Sequence, residues 1–316
     1  MRKTKFILLI LIVAISFVAI RTFEQGNGVR IINDVGQSEN AMASASGSVD
    51  QLQTVNESEI YSQSVISTSS AVVDNSQCAG INFSAQLALV RPFGQNYSLY
   101  ELNANGHWPI ASITKLMTAV VAYENSNLDK NITLTNSMLS VDGVAGDFKP
   151  GEVFSGKDLM KAMLMLSSNK AAEALAQDFG RDKFMSLMNQ KAKELNMTDT
   201  YFDNPTGLSV KNQSTANDIY KLATYVYNTH PEILSTTRTI KDYILEAKSH
   251  KKRLITNINE FAGTANFIGG KTGYIDESQG NLVSIFNVNK QPVITIVLGS
   301  QDRFGDTKKL LNCTTQ

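Results

Sequence analysis

Apolar positions along the chain fall into three regimes. The first is a single run from Phe6 to Ile20, interrupted only by Ser16 and preceded by Arg2, Lys3 and Lys5. As a helix it would span roughly 22 Å, short for a bilayer core of about 30 Å unless its flanks snorkel. It reads as a cleaved signal sequence or a retained anchor (residues 1–23). No small-x-small site lies just beyond Ile20, and Ala41-Met42-Ala43 is too far downstream, which favours an anchor with its basic end in the cytoplasm and the remaining chain exported. The second regime, residues 24–77, has scattered apolar positions without a period, no proline and one aromatic, Tyr61. That pattern predicts a flexible tether.

The third regime, residues 78–316, has the texture of a folded domain. Residues 85–90 and 98–102 predict two strands around a turn at 92–96. Helical periodicity predicts helices at 112–124, 157–166, 171–179 and 183–195, with a break at Ser167-Ser168-Asn169 and a stop at Gly180. Asn204-Pro205-Thr206-Gly207 predicts a turn, and Thr215 with Asp218 three residues on predicts a helix start. Strands follow at 267–272, 281–288 and 292–298, the last two joined as a hairpin by Asn289-Lys290-Gln291. A terminal helix covers about 306–312. Strands at both ends with helices between predict a mixed α/β (α+β) fold: an antiparallel sheet built from the chain termini and flanked by helices, plus an all-helical lobe.

Composition narrows the function. With 42% hydrophobic and 18% charged residues and zero formal net charge, nothing argues for a nucleic-acid partner. The tether carries seven acids (Glu24, Asp34, Glu39, Asp50, Glu57, Glu59, Asp74) against Arg30 alone. The rest is therefore mildly basic, which suits work near anionic polymers. Cys78 and Cys313, the only cysteines, bracket the folded region. They are two separate thiols or, in an oxidising compartment, a disulfide joining the domain ends.

The chemistry sits in three short segments. Ser112 and Lys115, one helical turn apart, put a hydroxyl beside an amine, a nucleophile and its base once the amine is neutral. Ser112 falls at a helix N-terminus, where free N–H groups can stabilise an oxyanion. The apolar residues after Lys115 predict burial, which lowers a lysine's pKa. A Ser-x-x-Lys step alone discriminates little, since helix capping produces many. Ser167-Ser168-Asn169 has a bland reading as helix stop and N-cap. In the functional one, Ser167 relays a proton between Lys115 and a leaving amine, while Asn169 orients the lysine and the substrate amide. Lys271-Thr272-Gly273 at a strand end reads as a charged edge strand, or as a lysine and threonine holding a substrate carboxylate. Gly273 would leave the edge open to a peptide, and the Tyr274 N–H would join that of Ser112 as oxyanion donor.

These three elements in this order resemble those of penicillin-binding proteins and β-lactamases. The resemblance covers about residues 81–311. It extends to residues 110–119, 202–208 (Phe-Asp-Asn-Pro-Thr-Gly-Leu), 214–218 (Ser-Thr-Ala-Asn-Asp) and 270–274. Through these segments the chain is similar to the low-molecular-weight penicillin-binding proteins of the D-alanyl-D-alanine carboxypeptidase type. The resemblance implies the β-lactamase/transpeptidase-like fold and a peptidoglycan stem peptide as substrate. It also implies a Ser112 acyl-enzyme, β-lactams as covalent inhibitors of that serine, and no metal or cofactor. The expected location is the extracytoplasmic face of the cytoplasmic membrane, held through residues 6–20.

Two departures bear on the bond cleaved. Lys170 follows Asn169 where carboxypeptidases usually carry Asp, and a basic residue there resembles the endopeptidase branch, which cuts cross-links. The chain also stops soon after its final helix, without the β-rich C-terminal domain common in carboxypeptidases. Other classes fit less well. A class A β-lactamase needs Glu-x-x-x-Asn, but the position four before Asn196 is Ala192. No Gly-x-Ser-x-Gly is present, and His107, His230 and His250 lack zinc-ligand spacing. A non-catalytic wall-binding protein would not need the intact Ser112, Lys115, Ser167, Asn169 and Lys271.

Overall fold

The computed structural model describes Val73 and residues 75–315. The run at 6–20 and nearly all of the expected tether lie outside the described residues. Among the described residues no helix is long and apolar enough to cross a membrane. The tether's expected end at residue 77 needs correction. Asn75–Cys78 forms a 3-10 turn, and the Asn75 amide accepts from Glu101 N and donates to Glu101 O. It thereby satisfies an outer-strand backbone that would otherwise be unpaired.

Strand β1 (Leu87–Pro92) and β2 (Tyr100–Leu102) open the domain, followed by β3 (Trp108–Pro109). A 3-10 turn, Ala111–Ile113, leads into α1 (Thr114–Asn125). The serine expected as the first helical residue therefore sits in a tighter turn ahead of it. Next come β4 (Asn131–Thr133), α2 (Asn136–Leu139) and β5 (Val153–Ser155). The lobe continues with α3 (Gly156–Met165), α4 (Asn169–Phe179) and α5 (Arg181–Glu194). Then follow β6 (Gln213–Ser214), α6 (Ala216–Thr229), α7 (Pro231–Arg238) and the hairpin β7 (Lys241–Leu245) with β8 (Lys252–Thr256). The chain closes with β9 (Phe267–Ile275), β10 (Gln279–Val288), β11 (Gln291–Ser300) and α8 (Arg303–Thr314).

The five-stranded sheet runs β2-β1-β11-β10-β9 and is antiparallel throughout. First and last parts of the chain build it, as the pattern predicts. Both faces are buried, because consecutive residues of β1 pack on opposite sides. Leu87 and Leu89 join the main core under the helices, while Ala88 and Val90 join a second cluster against Leu310 of α8. The β10–β11 turn is tighter than expected, with Asn289 and Lys290 at positive φ and Gln291 already paired with Val288. Such a turn matches the strand twist. The cysteine alternative resolves as a Cys78–Cys313 disulfide, Cα atoms 5.2 Å apart, fastening the first turn to α8.

Sequence patterning does not anticipate α7 or the β7–β8 hairpin. One residue of each strand, Ile244 and Ile255, is fully buried, and the intervening polar and apolar positions mask the period of two.

Candidate active site

The centre of the lobe is α1, buried along its first nine residues. Such a helix offers Lys115 no route to solvent. Its Nζ makes three contacts: to Ser112 Oγ at 2.8 Å, Asn169 Oδ1 at 2.7 Å and the Thr206 carbonyl at 2.5 Å. The last two groups can only accept, so they hold two N–H bonds. The third direction faces a hydroxyl that can accept from an ammonium or donate to a neutral amine. Burial, reinforced by the charge of Lys271, holds the Lys115 pKa well below the usual lysine range. Both effects favour the neutral amine, whose lone pair would face the Ser112 hydroxyl.

Backbone geometry holds Ser112 in place. Ala111 has φ +47, a strained value for a non-glycine residue. Gly207 lies across from it at φ +84, where a Cβ would collide with the Ala111 carbonyl. Gly273 approaches from the sheet, its missing Cβ directed 2.8 Å from Ile110 O and 3.1 Å from Ser112 N. The turn at 204–207 is itself fixed by buried Asn212, which bonds both the Asn204 carbonyl and Thr114 Oγ1.

Ser167 occupies the break between α3 and α4 at φ +58. Ser168 caps α4, its side chain accepting from Ala171 N. Asn169 turns its oxygen to Lys115 and donates from Nδ2 to the Asp142 carbonyl at 2.9 Å. Ser167 Oγ accepts from Lys271 Nζ at 2.9 Å; its polar neighbour is thus the second lysine, where the sequence reading puts Lys115.

Lys271 is fully buried in β9 and also donates to its neighbour's carbonyl, Thr272 O. Burial and the nearby Arg303 cation lower its pKa to about 7. Thr272, Gly273 and Tyr274 line the open cleft of about 230 Å³ together with Ser112, Ser167, Asn169, Leu208, Ile258 and Arg303. Strand β9 forms the sheet edge there. All eight residues picked from sequence therefore meet at one site, six lining the cleft, Lys115 beneath Ser112, and Lys271 bonded to Ser167 behind the wall.

The sequence reading missed three groups. The Thr206 carbonyl has no side-chain signature, although its turn is visible. Arg303, which donates to Gly273 O at 2.8 Å, is a cation on the cleft wall. Ile258 forms the wall beside Ser167, its N–H bonded to Met165 O. No cluster of three or more metal-ligating side chains occurs among the described residues.

Comparison with known proteins gives the family and the fold. The family described as D-alanyl-D-alanine carboxypeptidase matches residues 74–302. A D-alanyl-D-alanine endopeptidase of Pseudomonas aeruginosa is 34% identical over 71% of this chain and 74% of its own. The D-alanyl-D-alanine carboxypeptidase DacF of Bacillus subtilis is 29% identical over 68% of this chain and 58% of its own. Among solved structures, ampicillin-bound Penicillin-Binding Protein D2 from Listeria monocytogenes is 30% identical. It has a TM-score of 0.66 and covers 75% of this chain and 99% of its own.

Proposed function

Because the chain belongs to the D-alanyl-D-alanine carboxypeptidase family of serine peptidases, we propose that Ser112 is its nucleophile and Lys115 the base. The chain is a serine peptidase with the penicillin-binding protein fold, acting on D-alanyl-D-alanine peptides of peptidoglycan and acylated by β-lactams. The observation that carries the residue assignment is the Lys115 Nζ environment. Two obligate acceptors and one reversible hydroxyl leave a neutral amine only one use for its lone pair, the Ser112 proton.

A stem peptide added along the β9 edge presents its carbonyl to Ser112. The N–H groups of Ser112 and Tyr274 receive the oxyanion. The Ser112 proton ends on the departing amine, handed over at the Ser167 hydroxyl. Thr272 and Arg303 take the substrate carboxylate, with the Lys271 charge beneath them. Water then hydrolyses the ester, with Lys115 again as base.

Terminal carboxypeptidase cleavage is the first reading. A second, cleavage of cross-links, is favoured by two observations. Relatives named endopeptidases are 33–37% identical, against 26–30% for those named carboxypeptidases. Lys170, at the start of α4, departs from the acidic residue usual in carboxypeptidases. The Cys78–Cys313 disulfide supports an exported domain, held by residues 6–20 at the outer face of the cytoplasmic membrane.

Fluorescent penicillin should label the protein covalently and fail to label Ser112→Ala. Products from an uncross-linked pentapeptide and a cross-linked dimer, analysed side by side, separate the two bonds. Loss of one alanine marks the carboxypeptidase; halving of the dimer marks the endopeptidase. Label retained by Ser112→Ala would remove the serine from its role.

A further inference from the structure

The β7–β8 hairpin presents an unusual outer face. Antiparallel register places Tyr243 opposite Leu254 and Leu245 opposite Lys252, with Lys241 at the end of the same row. Directly opposed residues share a face, and here that face is open: Tyr243 is 53% and Leu254 54% exposed. The opposite face buries Ile244 and Ile255. Charges divide the same way. Asp242 is held by Lys161, Arg253 pairs with Glu152, and Glu246 is occupied by Ser249 and Val153 N. The side chains of Lys241 and Lys252 have no hydrogen-bond or ion-pair partner among the described residues. The outward face is therefore apolar at its centre and cationic at its rim, with no acid to neutralise it.

Strand β8 of this hairpin leads within two residues to the cleft wall. Ile258, two residues beyond β8, is 46% exposed and lines the cleft beside Ser167. Its N–H bonds Met165 O, two residues before Ser167. Ser167 is the hydroxyl placed to hand a proton to the departing amine. The end of the hairpin is thus tied to the Ser167 part of the cleft wall, the part proposed for the leaving group.

We propose that the Tyr243–Leu254 face, with Lys241 and Lys252, docks the amine-side stem peptide of a cross-linked substrate. That peptide carries free carboxylates for the lysines and aliphatic segments for the apolar centre. A single terminal D-alanine is too short to reach past Ile258, so the face contributes only when the leaving group is itself a peptide. The proposal rests on the serine-peptidase reading above and selects the cross-link among its bonds.

The test uses the full chain and two double variants, Tyr243→Ser/Leu254→Ser and Lys241→Gln/Lys252→Gln. Each is assayed on a cross-linked muropeptide dimer, an uncross-linked pentapeptide and fluorescent penicillin. The expected result is a fall of tenfold or more in kcat/KM for the dimer, mainly through KM. Pentapeptide cleavage and penicillin acylation should stay within about twofold of wild type. Equal losses on both peptides, or none on the dimer, would overturn the proposal. So would a wild type that trims the pentapeptide and leaves the dimer whole. Loss of binding to phosphatidylglycerol vesicles with dimer cleavage intact would make the face a membrane contact, also against the proposal. Absence of penicillin labelling in the wild type is a separate failure, that of the parent reading.

Discussion

Two buried lysines in one small site set its dependence on pH. In the proposed mechanism Lys115 works as the free amine, so acylation should rise with pH as that amine loses its proton. In the same mechanism Lys271 works as the cation, and burial with the Arg303 charge lowers its pKa to about 7, so the charge fades above neutrality. Burial and then the Lys271 charge depress the Lys115 pKa. Removing that charge in Lys271→Gln should relieve part of the depression and move the rising limb to higher pH. Penicillin acylation rates measured from pH 4 to 10 in both proteins check this, and a rising limb that stays in place would refute the coupling. In wild type, kcat/KM for a carboxylate-terminated peptide should fall above about pH 7 while an amidated peptide declines less.

At the scale of elements, the site is a set of junctions held by glycine contacts. Gly207 is the sharpest case, since both its φ of +84 and its contact with the Ala111 carbonyl exclude a side chain. Gly207→Ala should push apart the Ser112 turn and the Thr206 carbonyl that holds Lys115. The strain alone is of order 1 kcal/mol or more. The expected outcome is a hundredfold or greater loss of penicillin acylation, with a lowered but cooperative thermal transition; labelling within tenfold of wild type would contradict it. Junctions also explain what the sequence discloses. Ser112, Lys115, Ser167, Asn169 and the 271–274 segment are legible because each stands where a helix or strand changes character and the spacing is local. Helices with a clean stripe, such as α3, are legible to within one or two residues. The Thr206 carbonyl is hidden because backbone atoms carry no residue signature. Arg303 is hidden because Asp302-Arg303 reads as an ordinary helix start, its cap formed by Asp302 to Gly305 N. The β7–β8 hairpin is hidden because its outer face exposes the apolar Tyr243, Leu245 and Leu254, which spoils the alternation used to find strands.

The whole domain is fastened at its ends, and the fastening is separate from the chemistry. Sheet strands come from the two ends of the described domain, so the fold requires residues more than two hundred positions apart to pair. The Cys78–Cys313 bond closes a loop of 235 residues at that same place. By chain entropy, a loop of this length stabilises by about 5 kcal/mol, a ceiling that residual structure in the unfolded chain reduces. Its environment is the cluster of Ala88, Val90, Val297 and Leu310, whereas Ser112 and Lys115 belong to the helix side of the sheet. Cys78→Ser/Cys313→Ser should therefore lower the urea midpoint by an amount worth a few kcal/mol. Penicillin acylation per folded molecule should stay within about twofold of wild type. Reductant should shift the wild-type midpoint toward the variant and leave the variant unmoved. A wild-type midpoint indifferent to reductant would mean the thiols are unpaired in the protein as made, and the argument from the bond to an exported domain would fail with it.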